Sequence, residues 1–339
     1  MMKKASSLYE ALNGVFSVYK PAGKSLFQVI QSLKLNLAKE LNKLPCRPMR
    51  QRLVIDDGNL PMITTVPDLS DHVLVVGKRF IEDDIELSCV DAMNKASSGV
   101  TIFGIGRGVS LIRPICKAKY MKVYHVTGEL GLATSSCWVD GRVIERSTFH
   151  HLTAARMDRV VAGIQSGHQK HMFKASGVDL QSEEAYQLAC RGLLRPIHHL
   201  MGPVIYGMRC IHFEPPLFTL EIHSINETCD YLSDLVHNIG IELRTNAACS
   251  KLRRIRHGRF HLRNTLLLKH ACDPEHLANQ ISAFRNLLSR DKVTFRPNIN
   301  YLKDDRDGDV RLLDGGCEND AFISDDVCRT DDAKLIASS

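Results

Sequence analysis

A single carboxylate, Asp91, lies in the stretch SCVDAMNKASSGV that covers residues 88–100. A carboxylate held beside a cation stays ionised away from bulk water, where it can act as a nucleophile or a base. An isolated acid before a small-residue turn is also typical of a solvated loop or a helix cap. Asp91 is therefore a candidate catalytic residue, and the alternative is an ordinary residue of a solvated loop or a helix cap.

Other residue types with possible chemistry are spread along the chain. Tyr124 lies in a predicted strand and Tyr186 on a predicted amphipathic helix, where an aromatic residue is ordinarily part of the core. Lys20 lies in the turn KPAGKS. Between residues 252 and 262, basic and apolar residues alternate, a pattern that favours an edge strand facing phosphate groups. Its arginines are Arg253, Arg254 and Arg256.

Composition narrows the classes of function. The 339 residues carry a net charge of +6, with eleven cysteines that form no CxxC pair and fifteen histidines that lack zinc-site spacing. We therefore expect reduced thiols, an intracellular compartment and no metal site. Residues 303–339 hold eleven acids against five bases, and the rest of the chain holds 39 bases against 27 acids. A basic body indicates a polyanionic partner. No apolar run reaches membrane-spanning length.

The elements that must position these residues follow from periodicity and capping signals. Strands are predicted at 15–19, 73–76, 100–105, around Tyr124, 204–213, 217–223 and within 252–262. Helices are predicted after Ser25 and at 153–164, 182–192, 229–240 and 273–288. Residues 45–71 are predicted to be irregular. Mixed strands and helices with hairpins predict an α+β fold around a mixed, mostly antiparallel sheet flanked by helices.

Five segments in order resemble TruB-type pseudouridine synthases, most of all the mitochondrial branch of that family in animals. They are GVFSVYKPAG (14–23), DA with ASSGV and GIG (91–106), KVY with GELG and DG (122–141), EAY with RG (184–192), and LRR with G and F (252–260). The resemblance covers residues 14–260. It implies the pseudouridine synthase fold, with a catalytic domain over 1–265, a helical extension over 266–302 and an acidic, disordered tail over 303–339.

The resemblance also implies a reaction. A uridine in RNA is cut from its ribose, turned and rejoined through carbon, with no cofactor. In that scheme Asp91 is the catalytic carboxylate and Tyr124 stacks on the flipped base. Tyr186, Lys20 and Arg191 would contact the substrate, with Lys20 either bracing the loop or touching phosphate. Arg253, Arg254 and Arg256 would bind RNA.

Three departures from the family pattern leave alternatives open. The arginine expected after Ala189 is displaced by one residue to Arg191, about 100° around a helix, and Ser233 stands where another arginine is expected. The counter-ion of the carboxylate is therefore unassigned. Three extra residues also follow Asp91, so an ungapped comparison places Asn94 at the catalytic position. An amide cannot do that chemistry, and the chain would then be an inactive RNA-binding or ribosome-assembly factor.

The expected partner is RNA, whether mRNA, rRNA or tRNA, with possible mitochondrial RNA-processing proteins and without DNA. The resemblance to the mitochondrial branch implies the mitochondrial matrix.

Overall fold

The computed structural model describes residues 5–44, 51–56, 62–175, 178–179, 181–191 and 202–290. They fall in two units: described residues up to 169 and from 202 onward form the first, and those between 170 and 191 belong to the second. The acidic tail predicted beyond residue 302 lies outside the described residues. The first unit holds the main sheet and Asp91.

The strands of the described residues are β1 (Gly14–Lys20), β2 (Gln51–Asp56), β3 (Met62–Pro67), β4 (Leu87–Cys89), β5 (Ser98–Ile105), β6 (Lys122–Leu130), β7 (Leu132–Thr134), β8 (Val143–Arg146), β9 (Val204–Glu214), β10 (Leu217–Ile225), β11 (Ala247–His257), β12 (Phe260–His261) and β13 (Leu266–Leu267). The helices are α1 (Ala5–Ala11), α2 (Leu26–Lys43), α3 (Val73–Val76), α4 (Val109–Lys117), α5 (Ala154–Ala175), α6 (Glu183–Arg191), α7 (Cys229–Glu242), α8 (Leu268–Ala271) and α9 (Pro274–Arg290). None of these helices is long and apolar enough to cross a bilayer.

Nine of the described strands form one sheet. Its order is β13-β1-β5-β11-β6-β10-β9, with β12 beside β11 and β4 beside β5. The pairs β1–β13 and β5–β11 are parallel, and the others in this sheet are antiparallel. The predicted α+β fold with a mixed, mostly antiparallel sheet is confirmed.

Local signals account for most of the predicted elements. Ser25 caps α2 through a reciprocal capping box with Gln28, and Thr228 accepts the backbone N–H of Tyr231 to cap α7. Such caps satisfy backbone donors that a helix leaves free at its first turn. On α7, buried apolar residues recur at helical spacing and pack with strands β6 and β10 in one core cluster.

Three predictions about elements are wrong. The basic segment within 252–262 is not an edge strand, because β11 lies between β5 and β6 in the interior of the sheet. The run Val73–Val76 is a short helix, α3, since a run of four apolar residues does not distinguish helix from strand. Residues 51–67 contain the antiparallel pair β2–β3, which the prolines and mixed polarity of this region concealed.

Candidate active site

The loop that carries Asp91 connects β4 to β5 and has a defined turn. Within it the side chain of Asn94 accepts the backbone N–H of Ser97 at 3.0 Å, and the Ser97 hydroxyl donates to the Asn94 carbonyl at 2.9 Å. A side-chain amide commonly stabilises a turn in this way. The Asn94 side chain is therefore engaged in the turn of this loop.

Lys20, at the end of β1, holds this loop in place by hydrogen bonds to its backbone. Its side chain is buried, and its Nζ donates to the carbonyls of Ser97 at 2.6 Å, Pro21 at 3.3 Å and Lys95 at 3.4 Å. Burial lowers the pKa of Lys20 to about 8. Of the two roles expected for Lys20, bracing the loop is the one that these contacts describe, because a fully buried ammonium does not reach an external phosphate.

The carboxylate of Asp91 faces a cluster of basic side chains. Its Oδ2 lies 2.8 Å from Nζ of Lys122, 3.8 Å from Nη1 of Arg254 and 3.7 Å from Nε2 of His257. Burial acts to raise the pKa of Asp91, but the charges of Lys122 and Arg254 outweigh burial and hold the pKa below its ordinary value. Asp91 is therefore ionised at neutral pH.

The positive charge on this cluster comes from Lys122 and Arg254. Burial, reinforced by the charges of Arg254 and Lys122, lowers the pKa of His257 well below its ordinary value. His257 is consequently neutral at physiological pH. Both Arg254 and His257 are almost fully buried on β11, so these groups are shielded from the solvent that would weaken their interaction with the carboxylate.

A second carboxylate, Glu227, lies on the far side of Lys122. Its Oε1 is 3.0 Å from Nζ of Lys122 and accepts the hydroxyl of Tyr124 at 2.6 Å. The Glu227 side chain has no solvent exposure. Burial and the charge of Glu227 raise the pKa of Tyr124 well above its ordinary value, so its hydroxyl remains a proton donor.

Close packing of β5 on β11 places Arg254 under the loop. Gly99 has φ +119°, and a Cβ at this position would lie 2.2 Å from the carbonyl oxygen of Arg254. Only glycine fits this conformation and this approach. The Nε of Arg254 then donates to the carbonyl of Val100 at 2.6 Å, which fixes the guanidinium between the two strands.

The structure brings Arg254 to Asp91 and links Tyr124 to the cluster through Glu227, but it separates other predicted residues from the carboxylate. Tyr124 has only 3% of its surface exposed and packs in the core cluster, so a base cannot stack on its ring until the covering side chains move. Arg253 points away from its neighbour Arg254 and lies over the ring of Tyr19, at 5.5 Å from the centroid. Arg256 pairs with Val123 and is partly buried.

Two predicted substrate residues lie on α6, in the second unit. Tyr186 has two thirds of its surface exposed there, and Arg191 is the last residue of the helix. Their contact with substrate stays a prediction. On α7 the hydroxyl of Ser233 donates to the carbonyl of Asp230 and is buried, so this position supplies no charge to the site.

Sequence reasoning missed three members of the cluster: Lys122, Glu227 and His257. Lys122 stands in the KVY segment already singled out, two residues before Tyr124 on the same face of β6. His257 closes the basic run of β11, and Glu227 precedes the Thr228 cap of α7. Only the alternation on β6 offered a signal, since the other two depend on how distant elements pack.

Comparison with known proteins places the chain in a family. Residues 91–229 match TruB_N, the TruB family pseudouridylate synthase (N terminal domain), and the match begins at Asp91. "Pseudouridylate synthase TRUB2, mitochondrial" of Xenopus tropicalis is 40% identical over 276 residues, covering 79% of this chain and 84% of that protein. The chain belongs to the TruB family of pseudouridine synthases.

A human relative agrees with this family. The human protein "Pseudouridylate synthase TRUB2, mitochondrial" is 38% identical over 265 residues, covering 76% of this chain and 79% of that protein. Among solved structures, the archaeal box H/ACA sRNP Nop10-Cbf5 complex shares 12% identity at a TM-score of 0.46, covering 82% of this chain and 61% of that one. The predicted resemblance of the chain to TruB-type pseudouridine synthases is confirmed by the family match and by these relatives.

Proposed function

We propose that this chain isomerises specific uridines in mitochondrial RNA to pseudouridine, with Asp91 as the catalytic carboxylate. The reaction breaks the bond from N1 of uracil to C1′ of ribose and forms a bond from C5 to C1′, while the C5 proton is replaced by one on N1. It is an isomerisation, so atoms and electrons balance without a co-reactant. It requires an ionised carboxylate that attacks the nucleoside or removes a proton from it.

One observation carries the assignment to Asp91. Its carboxylate lies 2.8 Å from Lys122 and 3.8 Å from Arg254, and its pKa is lowered although it is partly buried. About a third of the side chain remains exposed, so a substrate can approach it. Asn94, by contrast, uses its amide within the loop turn. A shielded, ionised and reachable carboxylate is what this chemistry needs.

RNA is the proposed substrate because the site lies in a basic chain. A uridine must leave its stack to reach Asp91, and cations that contact flanking phosphates would hold the backbone. Lys119 is such a cation, because it is exposed and lines a cavity together with Asp91. Arg253 and Lys251 of β11 lie on the sheet face opposite Arg254 and would contact phosphates farther along the RNA. The mitochondrial matrix is proposed from the relatives, and mitochondrial RNA-processing proteins are the expected partners.

The buried ring of Tyr124 favours a second candidate, a catalytically silent RNA-binding or ribosome-assembly factor. In that case the family fold would bind RNA, but no base would reach the carboxylate. The two candidates differ in a single product, pseudouridine.

The test uses the full chain and total mitochondrial RNA. Wild type, Asp91→Asn and Asn94→Ala are each incubated with RNA, and pseudouridine is mapped by chemical labelling and quantified by mass spectrometry of nucleosides. We expect product from wild type and Asn94→Ala and a loss of at least 1,000-fold with Asp91→Asn. RNA binding without product from wild type would refute the enzyme and support the silent factor. Product from Asp91→Asn would refute the assignment of the carboxylate.

A further inference from the structure

Glu227 has no assigned role in the reaction, yet it lies at the centre of the cluster. It occupies the turn between β10 and α7, and its side chain is wholly buried. Among the described residues, its oxygen Oε1 contacts the Tyr124 hydroxyl at 2.6 Å and Nζ of Lys122 at 3.0 Å. Lys122 therefore lies between two carboxylates, at 2.8 Å from Asp91 on its other side.

The charges of the cluster balance only when Glu227 is counted. Lys122 and Arg254 supply two positive charges, and Asp91 supplies one negative charge. An ionised Glu227 supplies the second negative charge. Burying an uncompensated charge is costly, so a fully buried carboxylate next to an ammonium is stabilised as part of a neutral set.

The second oxygen of Glu227 adds an independent observation. Oε2 is buried and has no hydrogen-bond partner among the described residues. A carboxylate with a purely structural role would normally have both oxygens satisfied, because an unpaired buried acceptor reduces stability. The chain keeps Glu227 in spite of that cost. An unsatisfied buried polar group in a native structure calls for a reason, and a role in catalysis is one such reason.

We propose that Glu227 is a positioning residue for the reaction, which shares Lys122 with Asp91 and holds the hydroxyl of Tyr124. Sharing the ammonium weakens the hold of Lys122 on Asp91, so the carboxylate is still ionised beside Lys122 and Arg254 but is not locked in a full ion pair and stays reactive. Holding the hydroxyl fixes the ring of Tyr124 beside Arg254. This role rests on the proposed function, because it acts through Asp91.

Glu227→Gln tests this role with little change of shape. Glutamine can still accept a hydrogen bond from the Tyr124 hydroxyl, but it carries no charge and cannot form an ion pair. The ammonium of Lys122 would then form an ion pair with Asp91 alone. We expect kcat to fall about 10- to 100-fold with KM for RNA unchanged. The acid limb of the pH–rate profile should move about 0.5–1 pH unit lower, because Asp91 loses a neighbouring negative charge.

Glu221→Gln is the matched control. Glu221 lies on β10, where it contacts Arg209 at 2.9 Å and His223 at 2.7 Å and touches none of the cluster. Its variant should retain kcat and the pH profile per folded molecule. A double variant supplies a second comparison: Lys122→Met with Glu227→Gln should be no slower than Lys122→Met alone, because Glu227 acts through Lys122.

The outcomes separate this role from the proposed function. If wild type makes pseudouridine and Glu227→Gln leaves kcat and the pH profile unchanged, the positioning role is overturned and the function stands. If wild type makes no pseudouridine, the proposed function fails. The role of Glu227 in holding Asp91 is then judged by titrating the ¹³C-labelled carboxyl of Asp91. The NMR signal of that carboxyl is assigned by its absence in Asp91→Asn. A lower titration midpoint in Glu227→Gln supports shared pairing with Lys122, and an unmoved midpoint overturns it.

Discussion

Replacing Lys122 with methionine should destabilise the fold in a way that depends on pH. The substitution keeps the length and apolar stem of the side chain but removes the ammonium that lies 2.8 Å from Asp91 and 3.0 Å from Glu227. The Lys122 side chain is 9% exposed and that of Glu227 is 0% exposed, so water cannot enter to solvate the carboxylates that lose the ammonium. Two carboxylates would remain near one guanidinium.

The magnitude follows from the distances and exposure. Unit charges at this separation attract by about 6 kcal/mol at an effective dielectric constant of about 20. Burial of the lysine offsets part of this gain, and breaking a buried ion pair typically costs about 3–5 kcal/mol. Asp91 is 32% exposed, which screens its share of the interaction. We therefore expect a loss of about 3 kcal/mol at pH 7, or a fall in Tm of about 6 °C.

The sign of the pH dependence is fixed by the direction of the pKa shift. The folded-state pKa of Asp91 is below its ordinary value, so its stabilising contribution is present above the ordinary pKa and is lost as pH falls through the folded value. In Lys122→Met the pKa of Asp91 rises instead, because its main cation is gone, so the penalty grows as the pH increases above about 4. The difference from wild type should be largest at pH 7, smaller at pH 4, and lost only below the folded pKa of Asp91.

Urea unfolding at both pH values measures this difference. Lys43→Met is the control, because Lys43 pairs with Glu40 at 2.7 Å while the two side chains are 59% and 39% exposed. An exposed pair of similar geometry contributes about 0–0.5 kcal/mol. If Lys122→Met cost no more than Lys43→Met, or cost the same at pH 4 as at pH 7, the idea that Lys122 neutralises buried carboxylates would be refuted.

Three further predictions concern positions around the cluster. Gly99→Ala should lower the free energy of unfolding by more than about 3 kcal/mol in a urea titration. Its Cβ would lie 2.2 Å from the carbonyl oxygen of Arg254 at a positive φ. A variant as stable as wild type would contradict the close packing. Lys20 has a folded pKa of about 8, below its unfolded value, so stability should rise from pH 8 to pH 10 in wild type relative to Lys20→Met, and parallel curves would refute this. Arg253→Gln should weaken RNA binding about 2- to 10-fold and reduce its salt dependence while leaving the pKa of Asp91 unchanged. Binding and salt dependence equal to wild type would remove Arg253 from the RNA surface.

Much of the fold could be predicted from local sequence. The paired segments at 204–213 and 217–223 alternate between apolar and polar residues and are found as the antiparallel pair β9–β10. The helix after Ser25 could be predicted from its cap and from apolar residues at helical spacing. Such signals reside within a few residues of chain. The short run Val73–Val76 carried no period, and its prediction as a strand was wrong.

The site was harder to predict because its members come from distant parts of the chain. Asp91 could be singled out by residue type and by resemblance to a family. Its cations could not, since Lys122 and Arg254 reach it from β6 and β11. Sequence reasoning considered Arg191 and the position of Ser233 instead.

The sequence by itself determined the family, the order of most elements and Asp91 as the candidate carboxylate, because those depend on residue type and short-range pattern. The tertiary structure decided which arginine of the basic run faces Asp91. Adjacent residues on a strand point to opposite sides of the sheet, and the register of β11 against β5 and β6 turns Arg254 toward the loop and Arg253 away from it. It also placed Glu227 beside Lys122, a contact between residues 105 positions apart in the chain that no local pattern encodes.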